Sequence, residues 1–248
     1  MALIPRPVRT FVRRHLAKRG YIHNWYAGLH ADEFEQFHET AAQITRRHDA
    51  QTKETILRLR AKYEAPLFGE IRVYRLLELL AQCIDPTNAG LFCASQLAHT
   101  LHVMEGLERA GMTDRETLLV GLLHDLGKLA LLTGEAPEHL EGAGKKAIVD
   151  HEDGIGLDQA WLTYDHGEIA YQRLKPYLPE HSLWLIRYHS ISAQTYPLMD
   201  RQDLEWKARY YDAFHAIDQD YAFFRVPGVQ LSRYRELLDR EFPDPIVF

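Results

Sequence analysis

The sequence lacks most of the features that tie a chain to an oxidising compartment or a membrane. Its 248 residues contain two cysteines, Cys83 and Cys93, and their separation does not match a metal-binding spacing. Two such thiols fit a reducing compartment, where they fill core. No apolar run approaches the roughly 20 residues that span a bilayer, and no secretory signal is present. We therefore expect a cytoplasmic protein that does not associate with membranes.

Acidic residues are absent from the first 20 positions, which carry six Lys or Arg, although the whole chain has a net charge of −6. The rest of the chain is therefore acidic, and this disfavours nucleic-acid binding. The basic start could be a transit peptide, but it lacks serine and contains prolines, so we favour an exposed arm. No repeat, low-complexity tract or Gly/Ser linker divides the remainder. We predict a basic arm over residues 1–30 and a single domain over residues 31–248.

Strand-like alternation is also scarce, whereas apolar residues recur at intervals of three and four. This periodicity predicts an all-α fold. The predicted helices are Phe34 to Ala50, Thr52 to Tyr63, Ile71 to Cys83, Ser95 to Ala110, Arg115 to Leu123, Glu168 to Leu174, Leu183 to His189 and Leu204 to Phe223.

Boundary residues support these helices. Thr113 and Glu116 form a capping-box pattern, Gly111 should end the preceding helix, and Asp165 is a candidate N-cap. The least regular segment, Thr133 to Leu162, is too long for an ordinary connection and is typical of a lid, a binding loop or disorder.

One apolar stretch contains two ionisable residues. His124 and Asp125 lie within LLVGLLHDLGKLALL, whose other residues read as core, and burying unpaired charges costs several kcal/mol or more. A bound metal ion would compensate this cost. The second His-Asp pair, His48-Asp49, lies in RRHDAQ among polar residues, so we expect it at the surface.

Three further histidines, His99, His166 and His189, stand at helical positions with apolar flanks. Each alone is more often a satisfied core histidine than a ligand. Together with His124 and Asp125, however, they supply what a metal site in the core of a helical bundle requires.

A final carboxylate should come from the helix that begins at Leu204, which offers Asp212, Asp218 and Asp220. We favour Asp218 over Asp220 because it follows Ile217 on an apolar stripe with Phe214 and Tyr221. Nitrogen and oxygen ligands without thiolates favour iron or manganese over structural zinc. Four histidines and two aspartates suit two ions, with Asp125 between them. Lys128, one turn after His124, either points into the same pocket or extends to solvent.

The order H…HD…H…H…D resembles the HD-domain superfamily and, within it, the myo-inositol oxygenase family. Three motifs carry the resemblance: LVGLLHDLGK (Leu119 to Lys128), TYDHGEIAYQ (Thr163 to Gln172) and LIRYHS (Leu185 to Ser190). The similarity extends over residues 43–243.

This resemblance implies an HD-domain helical bundle with two iron ions (Fe2+/Fe3+) and O2 as co-substrate. The implied reaction is oxidative C–C cleavage of a small hydroxylated substrate. Lys128 would contact a substrate oxygen and favour its deprotonation, and Ser190 would hydrogen-bond a hydroxyl. The implied iron ligands are His99, His124, Asp125, His166, His189 and Asp218.

The segment after Gly134–Pro137 departs from the family pattern, so the substrate stays open between myo-inositol, a related polyol and another hydroxylated compound such as a hydroxyphosphonate. Two other functions are compatible with the scaffold. One is an HD-domain phosphohydrolase, which should present several pocket Lys or Arg, whereas only Lys128, Arg173 and Arg187 lie near the motifs. The other is a metal-free interaction module, which we disfavour because no ligand of the pattern is missing.

Overall fold

The computed structural model describes residues 31–87, 95–219 and 227–248, with side chains from residue 39 onward. These ranges are mainly helical, which confirms the all-α prediction. The α-helices are, in chain order, α1 (Ala31–Asp49), α2 (Lys53–Lys62), α3 (Val73–Leu79), α4 (Gln96–Arg109), α5 (Arg115–Leu123), α6 (His166–Leu174), α7 (Glu180–Tyr188), α8 (Arg201–Trp206), α9 (Asp212–Asp218) and α10 (Arg235–Glu241).

Helical turns that are tighter or wider than an α-helix also occur in the described ranges. The 3-10 helices there span Leu80–Gln82, Leu126–Thr133, Pro137–His139, Ala193–Leu198 and Leu231–Tyr234. A π-helical turn, Lys207–Tyr211, connects α8 to α9, so the predicted helix from Leu204 is continuous in direction but widened at this point. The end of that prediction, from residue 220 on, lies outside the described residues.

The strands of the described ranges, β1 (Glu70–Ile71) and β2 (Ile246–Val247), pair antiparallel. Glu70 lies opposite Val247, and Ile71 opposite Ile246. The pairing ties the end of the chain to the start of α3, where Ile246 is buried in the main core. Along the described ranges, no helix is both long and apolar enough to cross a bilayer.

Two of the three boundary predictions are confirmed. Gly111 follows α4 in the left-handed region, with φ at 72°, and the side chain of Asp165 caps α6 by accepting from the Glu168 N–H. The capping box at Thr113 is wrong by one residue. Asp114 is the N-cap of α5 and accepts from the Thr117 N–H at 3.0 Å. A carboxylate suits this position because it also opposes the positive end of the helix dipole.

The main core surrounds the His124-Asp125 pair. Leu122, Leu123, Leu126 and Leu129 are fully buried in it. The pair lies where α5 ends and the 3-10 helix Leu126–Thr133 begins. Asp125 has φ at −96° and ψ at 5°, so the α-helix ends at this pair, and both polar side chains are buried in the bundle.

The irregular segment Thr133 to Leu162 folds back over this centre. Lys145 joins it to the end of α7, since its N–H donates to the Ser190 carbonyl at 2.8 Å and its carbonyl accepts from the Ser192 N–H at 3.0 Å. Gly144 makes this approach feasible because it has φ at 86° and a Cβ on it would lie 2.9 Å from the Ser192 nitrogen.

The same segment overturns the surface prediction for His48, which is 1% exposed. Its Nδ1 lies 3.1 Å from the Glu138 carbonyl oxygen and its Nε2 lies 3.1 Å from the Thr163 hydroxyl. Gly142 packs directly on the ring. The neighbours Asp49 and Arg47 make the local sequence polar, and these two side chains do lie near the surface. Asp49 pairs there with Lys146, and Arg47 pairs with Glu138. Burial of His48 depends on a segment about 90 residues later, which no local pattern reveals.

Candidate metal centre

The six side chains predicted as metal ligands meet in the middle of the bundle. Each comes from a helix or its end: His99 from α4, His124 from the end of α5, His166 from the start of α6, His189 from the end of α7, and Asp218 from the end of α9, while Asp125 follows His124. All are buried except His99, which is partly exposed. Their helices therefore converge as the sequence predicts, and the role of the six as ligands stays a prediction.

Three of the six form a first group. The Nε2 of His99 lies 3.0 Å from Oδ1 of Asp218 and 3.3 Å from Nε2 of His124. The Nε2 of His124 lies 3.4 Å from the same Asp218 oxygen. Three atoms that could bind a metal ion, from three different helices, therefore face a common point.

The second group contains His166 and His189. Their Nε2 atoms are 3.1 Å apart and lie 3.1 Å and 3.6 Å from Oδ1 of Asp125. The other oxygen of Asp125, Oδ2, lies 3.5 Å from the Nε2 of both His99 and His124. One carboxylate thus presents one oxygen to each group.

Backbone carbonyls fix the imidazole rings. The Nδ1 of His124 donates to the Gly121 carbonyl at 3.0 Å, that of His166 to Leu140 at 2.8 Å, and that of His189 to Ile186 at 2.7 Å. A carbonyl can only accept, so Nδ1 carries the hydrogen and the Nε2 of the neutral ring has a lone pair. Metal-binding histidines are oriented in this way.

These atoms fit metal ions. Two ligands at right angles on an ion, with bonds of about 2.1 Å, are roughly 3.0 Å apart, close to the separations within each group. The Oδ2 of Asp125 is buried and accepts no hydrogen bond from the described residues, although Lys128 Nζ lies 3.3 Å from it. A bound metal ion would compensate the charge of this buried oxygen further. The all-nitrogen-and-oxygen set suits iron or manganese.

Both aspartates are ionised. Burial by itself would raise the pKa of Asp125, but Lys128 and the surrounding imidazoles hold it well below its usual range. Burial likewise tends to raise the pKa of Asp218, but the adjacent imidazoles of His124 and His99 hold it well below its usual range. The two carboxylates are therefore available as anionic oxygen ligands at neutral pH.

Lys128 points into the centre rather than to solvent. Its Nζ lies 3.3 Å from Oδ2 of Asp125, 3.1 Å from Oε1 of Gln96, 3.3 Å from Oδ2 of Asp85 and 3.8 Å from Oε2 of Glu141. Of the two positions that the sequence left open for Lys128, the buried one is correct.

Sequence reasoning missed the three partners of Lys128 outside the His-Asp motif. Gln96 lies one turn before His99 on a helix that was predicted, and Asp85 precedes a proline in a turn. Glu141 lies in the irregular segment, where no periodicity marks which side chains are buried. Burial raises the pKa of Glu141 well above its usual range, and Asp85 adds to the effect.

The remaining candidates are less close to the centre. Ser190 follows His189 and is half-buried, and its carbonyl accepts from Lys145, so the predicted role of its hydroxyl stays a prediction. Asp212 is exposed and pairs with Lys207. Asp220, the alternative to Asp218, lies outside the described residues.

Gly127 explains part of the HDLGK motif. A Cβ on this residue would lie 1.8 Å from the His166 carbonyl oxygen and 2.7 Å from its carbonyl carbon. The 3-10 helix therefore touches the backbone of the first residue of α6, and a side chain at position 127 would push His166 away from Asp125.

Comparisons with known proteins show similarity to inositol oxygenases. The family model described as "Myo-inositol oxygenase" matches residues 38–149. The "Probable inositol oxygenase" of Oryza sativa subsp. japonica is 25% identical over 83% of this chain and 80% of its own length. "Inositol oxygenase 1" of Arabidopsis thaliana is 28% identical over 64% of each chain, and "Inositol oxygenase" of Rattus norvegicus is 22% identical over 79% of this chain and 82% of its own.

Proposed function

We propose that this chain, which is similar to inositol oxygenases over most of its length, is a member of the myo-inositol oxygenase family and a di-iron oxygenase that cleaves a C–C bond of a small polyol, myo-inositol or a close relative, with O2. The observation that carries the proposal is the position of Asp125, with one oxygen facing the His99–His124–Asp218 group and the other facing His166 and His189.

His99, His124 and Asp218 would hold one iron, His166 and His189 the other, and Asp125 would contact both. When bound, the iron pair supplies the activation of O2 and the redox chemistry that amino-acid side chains lack. In the proposed cleavage, four electrons leave the substrate and reduce one O2, so each broken C–C bond consumes one O2.

Lys128 would prepare the substrate. Its ammonium lies among carboxylates and has little contact with water. A substrate hydroxyl placed beside this fixed positive charge loses its proton more easily, because the resulting alkoxide is stabilised in a low-dielectric site. Ser190, which follows His189, would hydrogen-bond a second hydroxyl and orient the ring.

The charges near the centre disfavour the phosphohydrolase alternative. Arg187 donates to Glu168 and Asp158, and Arg173 donates to the Tyr63 and Glu64 carbonyls, so both are engaged away from the centre. Lys128 does contact the centre, through Asp125, but it already faces carboxylates. Phosphoryl groups are normally bound by several Arg or Lys.

The histidine tautomers disfavour a metal-free interaction module. His166 and His189 present Nε2 lone pairs to each other at 3.1 Å, an arrangement that neutral rings tolerate only with a cation or proton between them.

Oxygen uptake tests the proposal. Iron-loaded protein should consume one O2 per molecule of myo-inositol or related polyol converted. His124→Ala should lose this uptake, and His181→Gln should keep it because His181 pairs with Glu116 outside the centre. Phosphoester hydrolysis under argon, without polyol-dependent O2 uptake, would replace the proposal by the phosphohydrolase.

A further inference from the structure

Glu141 is a buried carboxyl group with one oxygen unaccounted for. The residue is 3% exposed, and its Oε1 has no hydrogen-bond partner among the residues that the structure describes. Native proteins rarely leave a buried carboxyl oxygen without a partner, and the exceptions concentrate where a ligand or ion completes the site. The Oε1 atom therefore points to a missing hydrogen-bond partner.

The backbone that orients His166 also directs Glu141 into the centre. The Leu140 carbonyl accepts from both the N–H and the Nδ1–H of His166, at 3.2 Å and 2.8 Å. The next side chain, that of Glu141, then lies with Oε2 3.6 Å from His166 Nδ1 and 3.8 Å from Lys128 Nζ. Its position is fixed by the same contacts that position a candidate ligand.

Three carboxyl groups surround Lys128, and two of them have clear partners. Asp85 accepts from the Thr87 N–H and hydroxyl, both at 2.7 Å, as well as from Lys128. Asp125 faces the four imidazoles of the candidate metal centre. Glu141 is the third: its side chain interacts with Asp85, but its Oε1 has no hydrogen-bond partner among the described residues.

We propose that Glu141 binds a hydroxyl group of the substrate and thereby determines which hydroxyl pattern the enzyme accepts. This inference rests on the proposed function. A hydroxyl beside Lys128 can bind near Asp125 while a neighbouring hydroxyl of the same molecule donates to Oε1. A buried site built to bind a hydroxyl rejects an analogue that lacks it, because the protein group is then left unsatisfied.

Anaerobic binding tests the role without turnover. Iron-loaded full-length protein is titrated with myo-inositol under argon by calorimetry, for the parent, Glu141→Leu and Glu141→Gln. We expect a Kd about 10- to 100-fold higher for Glu141→Leu and a smaller increase for Glu141→Gln, which retains an acceptor. Glu138→Gln is the matched control, because its side chain lies three residues earlier and pairs with Arg47 near the surface.

The outcomes separate the two proposals. If the parent neither binds myo-inositol nor consumes O2 with polyols, the proposed function fails. If the parent binds and Glu141→Leu binds equally well with two irons retained, only the role of Glu141 fails. If Glu141→Leu loses iron or does not fold, the parent is titrated with the series of mono-deoxy inositols; equal affinity for all of them overturns the inference, and a single analogue bound at least tenfold more weakly supports it.

Discussion

His166 and His189 point their Nε2 atoms at each other across 3.1 Å, while each donates its Nδ1–H to a backbone carbonyl. Their tautomers are therefore set by the carbonyls of Leu140 and Ile186 and not by each other. Two hydrogen bonds to the backbone orient the rings so that both Nε2 lone pairs point to one place, beside an oxygen of Asp125. An arrangement of this kind is stable with a cation at that point.

Iron content should distinguish Asp125 from Asp218. Asp218→Ala should lose one of two irons, because Asp218 contacts only His99 and His124 among the four candidate histidines. Asp125→Ala should lose both or nearly both, because Asp125 faces all four histidines. Metal analysis of the purified variants measures this. Asp220→Ala should retain both irons; if it loses one while Asp218→Ala keeps two, the ligand assignment moves to Asp220.

Gly127→Ala should impair the second histidine group. The added Cβ meets the His166 backbone and not a flexible side chain, so α6 must shift. We expect loss of at least one iron and a lower melting temperature. Gly121→Ala is the control, because its Cβ would meet the movable ends of Leu107 and Met104, and it should keep both irons. Full iron occupancy in Gly127→Ala would contradict the tight contact between the 3-10 helix and α6.

Lys145→Met should be strongly destabilising. Lys145 is 1% exposed and lies 2.9 Å from Asp165, the N-cap of α6, and 3.5 Å from Glu168. Removing one partner of a buried ion pair costs about 3–5 kcal/mol. Lys146→Met breaks a more exposed pair with Asp49 and should cost at most about 1 kcal/mol. Denaturant unfolding of both variants measures the difference, and equal costs would show that the Lys145 cluster adds no stability.

Glu135 should make stability depend on acid pH. Burial tends to raise its pKa, but hydrogen bonds from His139, Lys62 and Tyr63 outweigh this and lower it from 4.5 to about 2. Ionised Glu135 therefore stabilises the fold by about 2–3 kcal/mol above pH 4.5, and this contribution falls as the pH drops toward 2.

Glu135→Gln removes this contribution. At pH 7 the variant should have a lower free energy of unfolding than the parent by the full contribution. This difference should shrink as the pH falls from about 4.5 toward 2. Melting temperatures of parent and variant across this range measure this difference. Acid affects the candidate metal centre equally in both proteins, so that effect cancels when the two melting temperatures are subtracted. A deficit that does not change with pH would mean that the Glu135 carboxyl titrates normally.

The sequence predicted most of the helical framework, because helix periodicity and caps are local. The range predicted for α5, Arg115 to Leu123, coincides with the observed helix, and Asp165 caps α6 as expected. The error at Thr113 was also local, since two adjacent polar residues could both act as N-cap. A π-helical turn leaves no comparable signal, so the widening at Lys207–Tyr211 was not predicted.

Candidate ligands were predictable for a related reason. A histidine or aspartate among leucines is costly unless it has a partner, so His124 and Asp125 could be recognised from their neighbours alone. The sequence by itself thus determined most of the helices, although not α10 (Arg235–Glu241), and the six polar residues directed into the core.

Only the tertiary structure decided how those residues are grouped, and what else joins them. His48 became buried and Glu141 entered the centre because the segment from residue 133 to residue 162 folds back over the bundle. The two oxygens of Asp125 came to face different histidine groups because four helix ends meet there. These contacts join residues far apart in the chain, and their geometry depends on how the helices pack, which no local pattern of residues encodes.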